Sequence, residues 1–383
     1  GWHDAGDYGR YVVSGAKTVQ DLFMTYEDNE YKADDIGIPE SGNGVPDILD
    51  EARYELDWML KMQDDNGGVY HKVTCDVFPE TVMPEKETAQ LIACPISNTA
   101  TGDFTAVMAK ASVLYKEYDA DFAKSCLDAA TNAYAFLEAN PDMKGYENPE
   151  DLVTGAYDDT HLADETLWAS AEMYIATKDA KYLTATKTAL DSNYLTGFGW
   201  ADIGSYALYD LAKTEGVDAD VAKTAKEKLL ADADETLSKA ESEGFFTGMG
   251  VTYPWGSNMT ITNKGMELLA AANLTGDAKY TEYAQKMRDY IFGVNPTGYC
   301  YVTGYGSLTP NATHHRPSQV LKETMPGMLV GGANNNLDDP YANAVLYGIA
   351  PGRAYVDNEQ CYSCNEVTIY WNSPLIYLLT GLN

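Results

Sequence analysis

Two carboxylates stand three residues apart near the start of the sequence, in Asp4-Ala5-Gly6-Asp7. The small residues between them suit a tight loop that turns both acids to one side. One acid can then take a proton from a water molecule while the other orients it. A plain surface turn has the same composition. A second group is Thr313-His314-His315-Arg316-Pro317. Neighbouring histidines on an extended segment face opposite ways, so one of the pair lines a site. Arg316, two positions from His314, shares its face, and His with Arg holds sugar hydroxyls or a carboxylate. A solvated loop, or a metal site without obvious partners, is the alternative.

The third group runs from Tyr355 to Asn372. Glu366 sits where a loop enters a strongly apolar terminal helix. There an acid can cap the helix and complement its dipole. Desolvated beside aromatic rings, it instead stays protonated and acts as a general acid. Cys361 and Cys364 form a single C-x-x-C, a weak metal signal, and read as packing cysteines or a local disulfide. A carboxylate pair, a distant carboxylic acid, a His-Arg pair and several aromatics together match what cleavage of a glycosidic bond needs.

These residues must be held by helices. Residues 46–63 carry Pro46 at a first helical position, acids in the first turn, and an apolar stripe through Ile48, Leu49, Ala52, Leu56, Met59 and Leu60. Similar spacing predicts helices over 15–27, 103–118, 121–139, 164–177, 179–192, 203–213, 218–241, 261–273, 277–292 and 367–380. They come in pairs with short links. Strand-like alternation is confined to 69–74 and 299–303. Three segments, 1–13, 64–102 and 293–366, lack helical periodicity and hold most of the candidate residues. Loops of that length in a compact domain are usually functional. No composition break divides the chain, so one all-α domain over 1–383 is expected.

Composition limits the partners. The 26 Lys and Arg against 58 Asp and Glu leave a charge of −32, which argues against nucleic acid or an anionic membrane and fits a neutral substrate. No run approaches the ~20 apolar residues of a membrane span. Six cysteines in 383 residues are no disulfide scaffold. The first residue is Gly1, not Met, so the sequence reads as a cut or processed piece and a missing signal peptide carries no weight.

The sequence resembles the catalytic domain of family 9 glycoside hydrolases, the inverting cellulases. Four stretches carry the resemblance: residues 1–12 (GWHDAGDYGRYV), residues 41–60 (SGNGVPDILDEARYELDWML), His314-His315-Arg316, and Tyr355 through Asn372, where Tyr355, Asp357, Tyr362, Glu366, Thr368 and Asn372 fall in the family's spacing. It covers essentially the whole chain and is nearest the subgroup that often carries an immunoglobulin-like domain. The resemblance implies an (α/α)6 barrel, here lacking part of its first hairpin. It implies Asp7 as base, Asp4 as its partner on the water and Glu366 as acid. His314 and Arg316 would contact the sugar, Asp357 would support that region, and Tyr362 would join the substrate site. His71 looks like a further subsite residue and Trp255 like a stacking platform, with core packing the alternative for Trp255.

The implied activity is hydrolysis of β-1,4-glucan by a secreted enzyme without an organic cofactor. Exo action, another β-glycan as substrate, a non-catalytic glucan-binding module and a purely structural barrel are the rival readings. By resemblance, structural calcium is expected at Asp164 and Glu165, with Asp159 or Thr160 and with Asp202. Plain helix-start acids are the alternative. Zinc is conceivable through His3, with its other ligands upstream of residue 1.

Overall fold

The computed structural model describes residues 1–383. They group into two compact units: Gly1–Trp2, Gly9–Val77 and Gln90–Leu230 form the first, and His3–Tyr8, Phe78–Ala89 and Ala231–Asn383 the second.

In the first unit a small antiparallel sheet is ordered β1 (Arg10–Tyr11), β2 (Lys72–Thr74), β3 (Ile92–Ala93), with Arg10 opposite Val73 and Val73 opposite Ala93. The rest is helical: α1 (Val12–Asp28), α2 (Asp47–Met59), α3 (Asn98–Leu114), α4 (Ala120–Ala139), α5 (Ala163–Thr177), α6 (Ala180–Leu190) and α7 (Gly204–Lys213). Helix α3 packs on α1, α4 and α5, and α5 also packs on α6 and α7. Side-chain caps start several of them. Ser97 accepts the Ala100 N–H, Asp119 that of Phe122 and Asp179 that of Lys181, each worth about 1 kcal/mol.

Helix α3 begins five residues before its expected start. It is buried on nearly every side, so it has no polar stripe, and the amphipathic spacing that marks surface helices is missing. Its polar residues serve the interior instead. Lys110 bonds Glu27 at 2.8 Å and Asp210 at 3.0 Å. Lys213 bonds Glu27 at 2.9 Å and Asp28 at 3.0 Å, and Gln20 donates to Asp210 at 2.9 Å. Lys17 pairs with Asp21, which also accepts the Tyr206 hydroxyl. Helices α1, α3 and α7 are thus joined by largely buried charge.

Helix α8 (Ala219–Glu241) leads into the second unit, where α9 (Ser257–Thr275), α10 (Ala278–Ile291) and α14 (Ile369–Gly381) pack together. Segment 293–366, expected to be free of helix, contains three short ones: α11 (Arg316–Leu321), α12 (Pro340–Leu346) and α13 (Tyr362–Asn365). None is long enough to show a period. Asp339 caps α12 through the Ala342 N–H and also accepts the Ser363 N–H and hydroxyl, which fixes α13 beside it. In place of the strand expected at 299–303 there is one isolated bridge, Val302 to Leu329. The strand expected at 69–74 shrinks to Lys72–Thr74. No helix is long and apolar enough to cross a membrane.

Candidate active site

Asp4, Asp7, Trp255, His314, Arg316, Asp357, Tyr362 and Glu366 all belong to the second unit. Glu366 follows α13 and precedes α14, whose start is capped by the Thr368 hydroxyl on the Trp371 N–H at 3.1 Å. The capping role open to Glu366 is therefore taken by Thr368. The Glu366 backbone pairs in parallel with His314, and its carbonyl accepts the Gly331 N–H at 3.1 Å. The Ile369 N–H, one turn of chain further on, donates to the Asp4 carbonyl at 2.9 Å. Backbone hydrogen bonds thus tie the acid-bearing segment to the loop of the two aspartates.

Electrostatics separates the carboxyls. Asp4 is buried, while Asp7 and Glu366 are half-buried. Water reaches part of the Glu366 side chain, as delivery of a proton to a substrate requires, but the surrounding protein strips most hydration from its carboxyl. That burial raises the Glu366 pKa well above the usual carboxylate range, and the charges of Asp7 and Asp4 raise it further. A hydrogen bond from Trp255 and the Arg316 charge pull the other way without reversing the shift. The shift favours the protonated form of Glu366 beside two aspartates, the state that a general acid would need.

The Trp255 contact carries a pH prediction. Trp255→Phe removes a bond that favours ionised Glu366, so the Glu366 pKa rises further. An acid catalyst is lost as pH climbs through its pKa. The alkaline limb of the kcat/KM profile should therefore move to higher pH, and an unmoved limb would show that Trp255 does not act on Glu366.

The aromatic groups form a row. Trp255 lies 5.2 Å from the Tyr362 ring centroid, and Tyr362 lies 5.7 Å from that of His314. Trp255 is 41% exposed, which answers the core-packing alternative: a ring this open is free to stack on a sugar. His314 Nδ1 lies 2.9 Å from the Glu359 carbonyl. A carbonyl only accepts, so Nδ1 carries the proton, and burial lowers the His314 pKa, which leaves Nε2 as a neutral acceptor. His315 bonds Ser318 instead, so the two histidines part as their adjacency requires. Asp357 accepts the backbone N–H groups of Asn311, at 2.9 Å, and Ala312, at 3.0 Å, and so shapes the turn that leads to His314.

Several expectations are corrected by the geometry. His71 is fully buried, with its ring stacked on Tyr146 at 3.9 Å, Nδ1 on the Ser97 hydroxyl and Nε2 on the Ala156 carbonyl. Burial lowers its pKa to about 3. With both nitrogens spent and no exposed surface it holds the loop at Ala156 and reaches no sugar. Arg316 is also buried and spends its guanidinium on backbone carbonyls, not on an open face shared with His314. Cys361 and Cys364 are buried free thiols, the packing alternative of the two.

Of the expected calcium ligands, Asp159, Asp164 and Glu165 lie together in the first unit, joined by Asp103, which the motif reading did not name. Both oxygens of Asp103 and Glu165 and one each of Asp159 and Asp164 are buried without a hydrogen-bond partner. Burial and mutual repulsion raise the pKa of Asp103 and Glu165 well above normal, and burial raises Asp164 to about 6. Thr160 is exposed, and the Asp202 carboxyl rests against the turn at Gly197 and Gly199, so neither is one of the buried four. These carboxyls do not converge on one point as three ligands would, but an all-oxygen, buried, uncompensated set has the chemistry of a hard cation site. His3 packs on Tyr8 at 4.8 Å, and it belongs to no group of three or more metal-type ligands. A zinc site through His3 would need ligands from outside these residues, as the resemblance implies.

Residues missed from sequence complete the scaffold. Asn365 accepts the Tyr355 hydroxyl at 2.8 Å and donates to the carbonyls of Val356, Asn358 and Cys361. It knots the loop that presents Glu366, and its place one residue before the acid was the only signal.

Comparison with known proteins agrees with this geometry. The family model described as "Glycosyl hydrolase family 9" matches residues 1–379. The chain is 35% identical to a cellodextrinase of Butyrivibrio fibrisolvens and 37% identical to the xyloglucan-specific endo-beta-1,4-glucanase BoGH9A of Bacteroides ovatus. All of it is covered in both matches, and it spans 74% and 68% of those two proteins. Among solved structures, a thermostable endoglucanase of Alicyclobacillus acidocaldarius, a D468A single mutant, superposes with a TM-score of 0.93 at 40% identity, over 100% of this chain and 74% of that one. The fold class is accordingly the all-α (α/α)6 barrel expected from the motifs. Matched along nearly all its length, the chain belongs to glycosyl hydrolase family 9.

Proposed function

We propose that this chain hydrolyses β-1,4-glucosidic bonds in cellulose or a related β-glucan by single displacement with inversion. The observation that carries the reading is the half-buried Glu366 carboxyl, tied through backbone hydrogen bonds to the Asp4–Asp7 loop and raised in pKa by loss of hydration and by the charges of Asp7 and Asp4. Asp7 takes a proton from a water molecule that Asp4 helps to orient. The water attacks the anomeric carbon as Glu366 protonates the departing glycosidic oxygen. Inversion needs room for that water, with carboxyls ~6.5–9.5 Å apart. Trp255 and Tyr362 offer ring faces to the apolar faces of glucose units, and His314 Nε2 accepts a sugar hydroxyl. Asp357 acts on the site through the Asn311–Ala312 turn.

Proton NMR of the first product from cellopentaose tests this reading. An α-anomer at the outset supports inversion, whereas an initial β-anomer would make Asp7 a nucleophile.

A polymeric substrate and the strongly acidic composition support secretion, and an immunoglobulin-like domain or binding module outside these residues fits the same setting. Calcium would need Asp103, Asp159, Asp164 and Glu165 to draw in around it, where it would neutralise charge and brace α3 against α5 without entering the reaction. EGTA should then lower the melting temperature, and Glu165→Gln should abolish that response. An unchanged melt in EGTA would mean these acids are held protonated and need no cation.

A further inference from the structure

The Arg316 side chain has an unusual set of partners for a residue expected to touch sugar. Nη1 donates to the Gly6 carbonyl at 2.6 Å, and Nε and Nη2 donate to the Pro79 carbonyl at 3.0 and 2.8 Å. The residue is 9% exposed. One planar fork thus bridges two loops at fixed angles, which a lysine cannot reproduce.

Both loops matter to the base. The Gly6 carbonyl belongs to the peptide group that leads into Asp7, so holding it fixes the plane from which the Asp7 side chain departs. Gly6 itself presses on the next segment: a Cβ there would lie 2.4 Å from the His314 carbonyl. Pro79 opens the strap Phe78–Ala89, and Tyr8 grips the same strap from the other side, its hydroxyl on the Val82 carbonyl at 2.6 Å. Chain and hydrogen bonds close a ring from Gly6 through Asp7, Tyr8, Val82, Pro79 and Arg316 back to Gly6. The acid is held by the same segment. His314 donates its N–H to the Asn365 carbonyl at 2.9 Å and bridges to Glu366. Residues 314–316 therefore touch the acid's backbone at one end and the base's backbone at the other.

We infer that Arg316 is a positioning residue: its guanidinium sets the separation of Asp7 from Glu366 by clamping the Gly6 carbonyl to the Pro79 strap. This rests on the hydrolase reading above and assigns to Arg316 a role other than sugar contact. The distinction is measurable. A sugar contact shared by ground and transition states shows in KM, whereas misplacement of the base shows in kcat.

The test is steady-state kinetics of Arg316→Ala and Arg316→Lys in the full chain, on cellopentaose and on 2,4-dinitrophenyl β-cellobioside. The aryl leaving group departs without a proton from Glu366 but still requires water activated by Asp7. Arg316→Ala should lose roughly 100-fold in kcat on both substrates, with KM held within about twofold. Arg316→Lys should recover about tenfold of that loss, since an ammonium reaches one carbonyl but not both. A raised KM at unchanged kcat overturns the proposal in favour of sugar contact. Loss on cellopentaose alone also overturns it, because the defect would then lie with the acid. If Arg316→Ala fails to fold, Arg316→Lys decides by the same split. A wild-type protein inert on both substrates would remove the hydrolase reading, and this proposal with it.

Discussion

Glu366→Gln and Asp7→Asn should each lower kcat on cellopentaose by about 1000-fold while leaving the thermal melt intact, because proton transfer by a placed side chain contributes ~10²–10⁴ in rate. The two variants differ on 2,4-dinitrophenyl β-cellobioside. There the leaving group needs no proton, so Glu366→Gln should regain most of its activity. Asp7→Asn should stay inactive, since water must still be activated. Burial and two neighbouring aspartates favour the neutral form of the Glu366 carboxyl, so a neutral amide of the same size changes no charge there and is not expected to destabilise the fold. Equal recovery of both variants on the aryl substrate would exchange or cancel the assigned roles.

The largest effect on stability is expected at Lys110→Met. Burial alone would push the Lys110 pKa down, but Asp210 and Glu27 hold it above the ordinary lysine value. The ammonium is the shared partner of two acids and is 4% exposed. Removing it leaves Asp210 buried with Gln20, Glu172 and the Lys213 contact at 3.4 Å. Breaking one side of a buried ionic group costs ~3–5 kcal/mol. With Lys213 still present, the lower end, about 3 kcal/mol, is the expected loss, seen as a fall in melting temperature of roughly 5 °C or more. Adding Asp210→Leu should return part of it, because a buried pair replaced as a whole by apolar groups is often neutral. If Lys110→Met melts like the wild type, the network is dispensable for stability.

How much of this was legible in the sequence depended on what each residue had to do alone. The long helices showed their apolar spacing, as in α2, and the acid-bearing motifs stood out by residue type. Helix α3 hid its first turn because a helix buried on all sides has no stripe to read. Helices α11, α12 and α13 were too short for a period, and α12 and α13 are fixed by Asp339, a contact made by folding and not by neighbourhood in the chain. His71 and Arg316 mark the limit of motif reading in the site. A motif supplies the residue type, but only the fold shows that His71 is sealed against Tyr146 and that Arg316 faces carbonyls. The cation cluster failed the same way in part: Asp103 comes from α3, far in sequence from Glu165, and no local pattern joins them.

The close approach of Gly6 to the His314 carbonyl has an evolutionary reading. Any side chain at that position collides with the backbone behind it, so the base loop admits one letter there, and insertions that would stretch the loop must also break the Tyr8 and Arg316 anchors. The reaction's geometry is insulated from sequence drift. The ring row of Trp255 and Tyr362 carries no such lock. On the roles proposed for Asp7, Trp255 and Tyr362, descendants of this chain can wander in which glycan they accept while the stereochemical course of the cleavage stays inherited.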